Sequence, residues 1–430
     1  MKIKIVTLLL GITWAAQAQE NSIPTNPQTK NVCITNVTIH VGNGTVISSG
    51  MVVFAKGKIT MVTANTTIPD SCTVIDGKGQ HLYPGIIAAC TNLGLVEVGS
   101  IKATQDYAEL GDVNPSLKSI VAYAADSKVI NTVRSNGILL AHIVPQGGTI
   151  SGTSSIVQLD AWHWEDAAYK VNNGIHFNMP ALINRPSFFG PRPGQEDAIK
   201  NALNKIEEIK NLLRDAKAYN SSNRTPKNLK YEALQGLYNG SQKLYIHCDL
   251  VKEIMIAIQI KKEFGIDIVL VGATDSWMVA TQLKENNIPV ILSEPHSLPS
   301  MADDAVDQPY KTGYLLQKAG VLFTICQDAD DGFWQQRCLP YQAGTMAAYG
   351  LTKEEALTAI TLNAAKILGI ANSTGSIEVG KDANLIISQG DVLDMATSNI
   401  THAFIQGRQI DITNKQTDLY EKYKTKYRIK

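Results

Sequence analysis

A chain of 430 residues is too long for one simple hydrophobic core, so one large domain and one smaller domain are expected. Its 44 % hydrophobic and 18 % charged content is that of an ordinary globular protein. Basic and acidic residues number 39 each, a balance that gives no electrostatic reason to expect nucleic acid or an anionic membrane as partner.

Lys2 and Lys4, the apolar run over residues 5–16 and the small-X-small site Ala16-Gln17-Ala18 read as a signal peptide over residues 1–18, cleaved before Gln19. The mature chain is then exported, to the periplasm or the extracellular space. No later stretch reaches the roughly 18 apolar residues that a membrane span needs. Six cysteines, at 33, 72, 90, 248, 326 and 338, would face an oxidising compartment. They form no Cys-X-X-Cys pair, and Cys33 with Cys72 is the first disulfide to expect.

After a polar linker over residues 19–31, residues 32–83 alternate in the strand manner, with turns at Gly42-Asn-Gly44 and Lys56-Gly57. A matching set of short strands recurs over residues 375–412. Neither set has enough strands to bury a face alone, so one β-sandwich built from both ends is expected. Between them the apolar runs 244–248, 268–272, 290–292 and 321–326 alternate with amphipathic segments, the pattern of parallel strands with crossover helices. Earlier, 138–144 and 156–159 read as strands. Residues 160–192 read as an irregular excursion, with a fourth strand near 174–179. The helix over 353–368 carries Thr352 as N-cap and Glu355 three residues on, and stops at Gly369. A longer helix over 195–219 places Ile199, Leu203, Ile206, Ile209 and Leu213 on one face. Residues 413–430 form a helical tail.

The stretch Tyr83-Pro-Gly-Ile-Ile-Ala-Ala-Cys-Thr-Asn-Leu-Gly-Leu95 ends a buried strand in a loop carrying Cys90 and Asn92. It resembles the first barrel strand of the amidohydrolase superfamily, the metal-dependent hydrolases related to imidazolonepropionase. So do Arg337-Cys-Leu-Pro-Tyr-Gln-Ala-Gly344, the segment 357–369 and Gly375-Ser-Ile-Glu-Val-Gly-Lys-Asp-Ala-Asn-Leu385. The resemblance implies an α/β fold: a (β/α)8 TIM barrel over residues 84–374, flanked by the composite sandwich of 32–83 and 375–412. It also implies a barrel mouth holding one or two divalent metals of the zinc type, which activate water to hydrolyse a carbon–nitrogen bond, often a cyclic amide.

Carried over residue by residue, the strand-one histidines fall on Cys90 and Asn92, and the strand-six histidine falls on Gly272. The strand-four lysine has no counterpart, although His176 lies in that segment. The strand-five histidine matches His247, and the strand-eight aspartate, which binds metal and takes a proton from water, matches Asp328. A catalytic zinc usually has three protein ligands and one open position. His247 and Asp328 alone would hold a metal weakly, with Cys90 as a further donor and Cys326 one layer deeper in the barrel. Asn92 suits a polar pocket wall better than a metal site. His142 and His296, near other strand ends, are candidates for a relocated site. The glycine-rich run 146–155 lacks a Gly-Lys-Ser ending and reads as a wall of the mouth rather than a phosphate loop. Trp162-His-Trp-Glu165 reads as a lid, a dimer contact or core.

Two readings follow. The first is a hydrolase acting on a non-peptide carbon–nitrogen bond, with Asp328 as general base, His247 as ligand or electrostatic partner, and a depleted or rearranged metal site. The second is a non-catalytic descendant that binds a small molecule or supports an active paralogous subunit. A small-molecule substrate or ligand is expected in either case, with a homo-oligomer as a further partner.

Overall fold

The structure, a computed structural model, describes residues 23–64, 67–183, 195–221, 224–327 and 332–429. The expected signal peptide and Asp328 lie outside the described residues.

The first five strands are β1 (Asn31–His40), β2 (Val46–Ala55), β3 (Lys58–Thr63), β4 (Cys72–Asp76) and β5 (His81–Pro84). The next eight are β6 (Ile86–Thr91), β7 (Ile138–Ile143), β8 (Ile150–Gln158), β9 (Ala168–Asn178), β10 (Lys243–Cys248), β11 (Ile268–Gly272), β12 (Val290–Leu292) and β13 (Phe323–Ile325). The last three are β14 (Leu385–Ser388), β15 (Ile400–Ile405) and β16 (Arg408–Gln409). They form two sheets of eight strands each.

One sheet draws on both ends of the chain, in the order β16-β15-β14-β5-β1-β2-β3, with β4 pairing β1. β14 and β5 pair antiparallel, so the returning chain is stitched directly to the strand it left. The sheet folds back on itself. Phe54 on β2 and Phe404 on β15 lie four strands apart, roughly 19 Å in a flat sheet, yet their ring centroids are 5.3 Å apart. The expected linker is anchored along this sheet, where the Gln28 side-chain carbonyl accepts from Gly57 N at 2.8 Å and its amide donates to Phe54 O at 3.0 Å. Cys33 and Cys72 share one small cluster on neighbouring strands, but both carry thiols, so the expected disulfide is not formed.

The second sheet runs in the order β6 through β13 and is nearly closed. Its strands are parallel except for β8, which is antiparallel to both β7 and β9. This departs from an all-parallel barrel, and it comes from the glycine-rich run, which is strand from Ile150 onward. Gly152 permits it: at φ +144 a Cβ would sit 2.8 Å from Leu117 O. The segment before β7 packs there, with Thr153 N donating to Leu117 O at 2.7 Å. Trp162-His-Trp-Glu165 occupies the turn of the resulting β8–β9 hairpin, with Trp162 exposed.

Side chains inside the barrel include Ile87, Ala89, Leu140, Ile156, Tyr245, Val269, Val271 and Ile291, with Cys90 and Cys326 in the same cluster. Ala364, Ala365, Ile367 and Leu368 join them from the helical run Lys353–Leu368, which contains one π turn over Ala359–Asn363. Thr352 and Glu355 form the expected capping box, and Gly369 ends the run at φ +70. Its last carbonyls accept from Lys243 at the start of β10 (2.6 Å) and from Lys170 near the start of β9 (3.2 Å). Two lysines thus sit at the negative end of a helix, and the helix closes the end of the barrel opposite the strand C-termini. The helix Gln195–Asn220 buries Ala202, Ile206, Ile209, Leu213 and Ala216, whereas Leu203 faces solvent.

Candidate active site

Strand polarity places the reactive end of such a barrel at the C-terminal ends of its parallel strands. A cleft of about 510 Å³ opens there, lined by Asn178 and Met179 after β9, His247 and Cys248 at the end of β10, Val271 and Gly272 at the end of β11, and Ser293 after β12. Asp249 and Glu253 complete its wall. Two other clefts, around Lys243 and Asp267 and around Lys170 and Gln242, lie near strand starts and carry neither histidine nor cysteine.

Alternation on β10 sends Tyr245 and His247 to the same face, and β9 contributes His176 in register with Tyr245. The imidazoles of His176 and His247 meet, with Nδ1 of the first 2.9 Å from Nε2 of the second. His176 also stacks on Tyr245, ring centroids 4.8 Å apart and planes within 4°. Behind them, His142 of β7 is held at both nitrogens. Nδ1 donates to Ala89 O at 2.8 Å, which fixes the tautomer, and Nε2 accepts from the Ser154 hydroxyl at 2.7 Å. The Asn173 amide donates to the Tyr245 hydroxyl at 2.7 Å.

Burial sets the charge of this cluster. It pushes the imidazole pKa of His142 down to about 3 and that of His247 to about 4, and lowers that of His176 as well. All three are neutral at pH 7. Only His247 retains partial exposure, to the cleft. One atom is unpaid in this network: Nε2 of His176 is buried without a hydrogen-bond partner. A bare buried acceptor is tolerated better than a buried unpaired N–H. The proton therefore sits on His176 Nδ1 and is donated to His247 Nε2, which leaves His247 protonated at Nδ1.

The remaining expected positions behave differently. Cys90 is fully buried in β6, and its carbonyl accepts from Gln336 Nε2 at 3.4 Å. Asn92 is buried just past the strand end, its carbonyl accepting from Leu95 N at 2.9 Å. Gly272 adopts φ +86, and a Cβ there would lie 2.7 Å from Asp249 Oδ1, so no side chain is accommodated without strain. His296 is directed elsewhere, its Nε2 lying 2.6 Å from Thr345 Oγ1. The Cys248 thiol is pushed well up by burial and by the Glu253 and Asp249 carboxylates, which makes it a poor nucleophile. Glu253 is structural: it accepts from the backbone N–H groups of Leu182, Asp249 and Leu250 at 3.0–3.1 Å and so shapes the cleft wall.

The described donors do not fit a zinc ion. His247 Nε2 is occupied by His176, Gly272 offers nothing, and among the described residues no group of three or more His, Cys, Asp or Glu side chains could hold a metal.

Parts of the chain resemble known proteins. A model of the amidohydrolase family matches residues 247–410, a segment that begins at the cleft histidine. Imidazolonepropionase from Bacteroides fragilis is 35 % identical over 88 residues, covering 20 % of this chain and 21 % of that protein. The enzyme of that name from Phocaeicola vulgatus is 34 % identical over 131 residues, covering 30 % and 28 %. The chain thus matches under a third of the length of these relatives. An amidohydrolase structure from Thermotoga maritima aligns over 88 % of this chain and 99 % of its own, with a TM-score of 0.72 and 25 % identity. A zinc-bound adenosine deaminase from Xanthomonas campestris shares the fold, with a TM-score of 0.56 at 14 % identity, over 94 % of this chain and 99 % of its own. Residues 247–410 therefore resemble the amidohydrolase family, and the fold over most of the chain is that of a solved amidohydrolase.

The resemblance directed attention to His247 and His176 but missed the Tyr245–Asn173 and His142–Ser154 pairs behind them. Period-two alternation on β10 was the available signal for Tyr245, since it shares a face with His247.

Proposed function

We propose that this protein is an exported hydrolase acting on a non-peptide carbon–nitrogen bond of the cyclic amide type, at the cleft over β9 to β12, with a depleted metal-ligand set. The observation that carries the reading is the His176–His247 pair at the strand ends of an amidohydrolase barrel, with one imidazole reaching the cleft. The names of the imidazolonepropionase relatives support the cyclic amide class.

In this reading His247 works as a neutral donor. Its Nε2 is taken by His176, so Nδ1–H is left to hold the amide oxygen as negative charge develops there. His176 is a positioning residue, fixed by its stack on Tyr245. Asp328 accepts the proton of the attacking water, a role that rests on the sequence resemblance alone. The ring C–N bond breaks as the nitrogen takes up a proton, giving an open-chain carboxylate and amine or amide.

The test is ring opening of five- and six-membered cyclic amides, followed by ultraviolet absorbance. Turnover should fall about 100-fold in His247→Ala and fall as steeply in Asp328→Asn. Wild-type protein inert across the panel, or variants as active as wild type, would sink the proposal.

A further inference from the structure

The last described helix, Lys415–Tyr427, is the element that the hydrolase reading leaves without a role. Its start is well anchored. Asn414 caps it, accepting from Gln416 N and Thr417 N, and donates to Ser135 Oγ at 2.8 Å, while Thr132 Oγ1 donates to Gln416 Oε1 at 2.9 Å. Beyond that first turn no residue of the helix is buried. A 13-residue helix without packing is marginal in water. This one keeps Leu419, Tyr420, Tyr423 and Tyr427 exposed, with Tyr420 at 60 % and Tyr427 at 63 %.

At 100° per residue these four side chains fall within one sector about 100° wide. Lys415, Lys422 and Lys426 flank it on one side and Lys424 on the other. Asp418 and Glu421 lie on the opposite face. Over residues 415–428 five basic residues stand against two acidic ones, a local excess of three positive charges in a chain whose overall balance is zero. Two of the lysines lie over the rings: Lys426 Nζ is 5.9 and 5.4 Å from the centroids of Tyr423 and Tyr427, and Lys424 Nζ, which also pairs with Glu421 at 3.8 Å, is 5.8 Å from that of Tyr420.

We infer that this helix is a docking surface for an anionic phospholipid bilayer, with the tyrosine sector laid into the headgroup boundary and the flanking lysines on lipid phosphates. The segregation of charge carries the choice of partner. Tyrosine is amphipathic and sits at headgroup depth, and lysines bordering an aromatic stripe match a negative surface. The acidic pair on the far face would be held away from that surface. The helix lies flat rather than spanning, consistent with the absence, among the described residues, of any helix long and apolar enough to cross a membrane.

The test is co-sedimentation of the full chain with vesicles of phosphatidylglycerol and phosphatidylcholine, against vesicles of phosphatidylcholine alone, at about 0.1 M salt. Binding is expected only with the anionic lipid, falling as salt rises. Each lysine lost should weaken it by about fivefold, so Lys422→Glu combined with Lys426→Glu should abolish it. Tyr420→Ser with Tyr423→Ser should weaken it while the far-ultraviolet spectrum of the whole protein is unchanged. Equal binding to both vesicle types, or none to either, overturns the inference for the wild-type chain itself. Concentration-dependent dimerisation that is lost in the tyrosine variant, without lipid binding, would also overturn it and assign the face to a second copy.

Discussion

Three imidazoles kept neutral inside one barrel tie stability to pH in a calculable way. An unfolded histidine titrates near 6.5, and at pH 5.0 protonation lowers the free energy of the unfolded state by roughly 2 kcal/mol, against almost nothing at pH 7.5. His142, pushed down to about 3, gains no proton in the folded protein over that range. Its contribution is therefore full above pH 6.5 and is lost as the pH falls from there toward 3. His247, pushed down to about 4, contributes a similar amount, so these two should cost roughly 4 kcal/mol between pH 7.5 and 5.0, and the lowered pKa of His176 adds to the loss in the same direction. Asp275 works against them, since burial and the nearby Asp304, Asp249 and Glu253 raise its carboxyl pKa. The clean measurement is a double difference. Urea unfolding of wild type and His142→Gln at both pH values removes the fixed cost of disturbing Ala89 and Ser154. The variant should lose about 2 kcal/mol less on acidification than wild type. Equal losses in the two proteins would refute the assignment of a neutral, buried His142.

Other expectations follow from single contacts. Arg134 and Asp160 pair at 3.0 Å with both side chains buried, so Arg134→Ala should lower unfolding free energy by about 3–5 kcal/mol; a loss under 1 kcal/mol by urea titration would show that Arg408, 3.6 Å from the other oxygen of Asp160, suffices alone. Gly272→Ala should cost at least about 1–2 kcal/mol from the left-handed backbone alone, and a Gly272→His protein should not gain zinc affinity, as calorimetry would show. Glu253→Ala strips the acceptor from three backbone N–H groups and should speed amide exchange at Leu182, Asp249 and Leu250 with little change elsewhere.

Where an element buries both faces or carries its own cap, it was legible in the sequence. β11 and β12 coincide with the apolar runs 268–272 and 290–292, because parallel strands covered on both faces read as continuous apolar segments. The Thr352–Glu355 box marked its helix for an equally local reason. Residues 156–159 and 174–179 were read as strands, but the first half of β8 was hidden because Gly152 and a run of serine and threonine carry no apolar alternation, and what makes that half a strand is its antiparallel pairing with β9. Leu203 fitted a helical stripe by spacing but faces water, since the packed face is centred on Ile206 and Leu213. At the site, motif position singled out His247 and His176, whereas their mutual hydrogen bond joins residues 71 apart and belongs to strand register. Gly272 appeared as a missing ligand; its left-handed backbone shows a position that resists one.

In the proposed reading the barrel mouth keeps His247 but lacks the strand-one and strand-six histidines, whose positions are Cys90, Asn92 and Gly272. Calorimetric titration of zinc into the full chain, purified without chelator and analysed beforehand for bound metal, tests this most directly. Far less than one ion per chain as purified and no binding at micromolar zinc are predicted. One tightly held ion per chain, released when His247 is replaced by alanine, would contradict it.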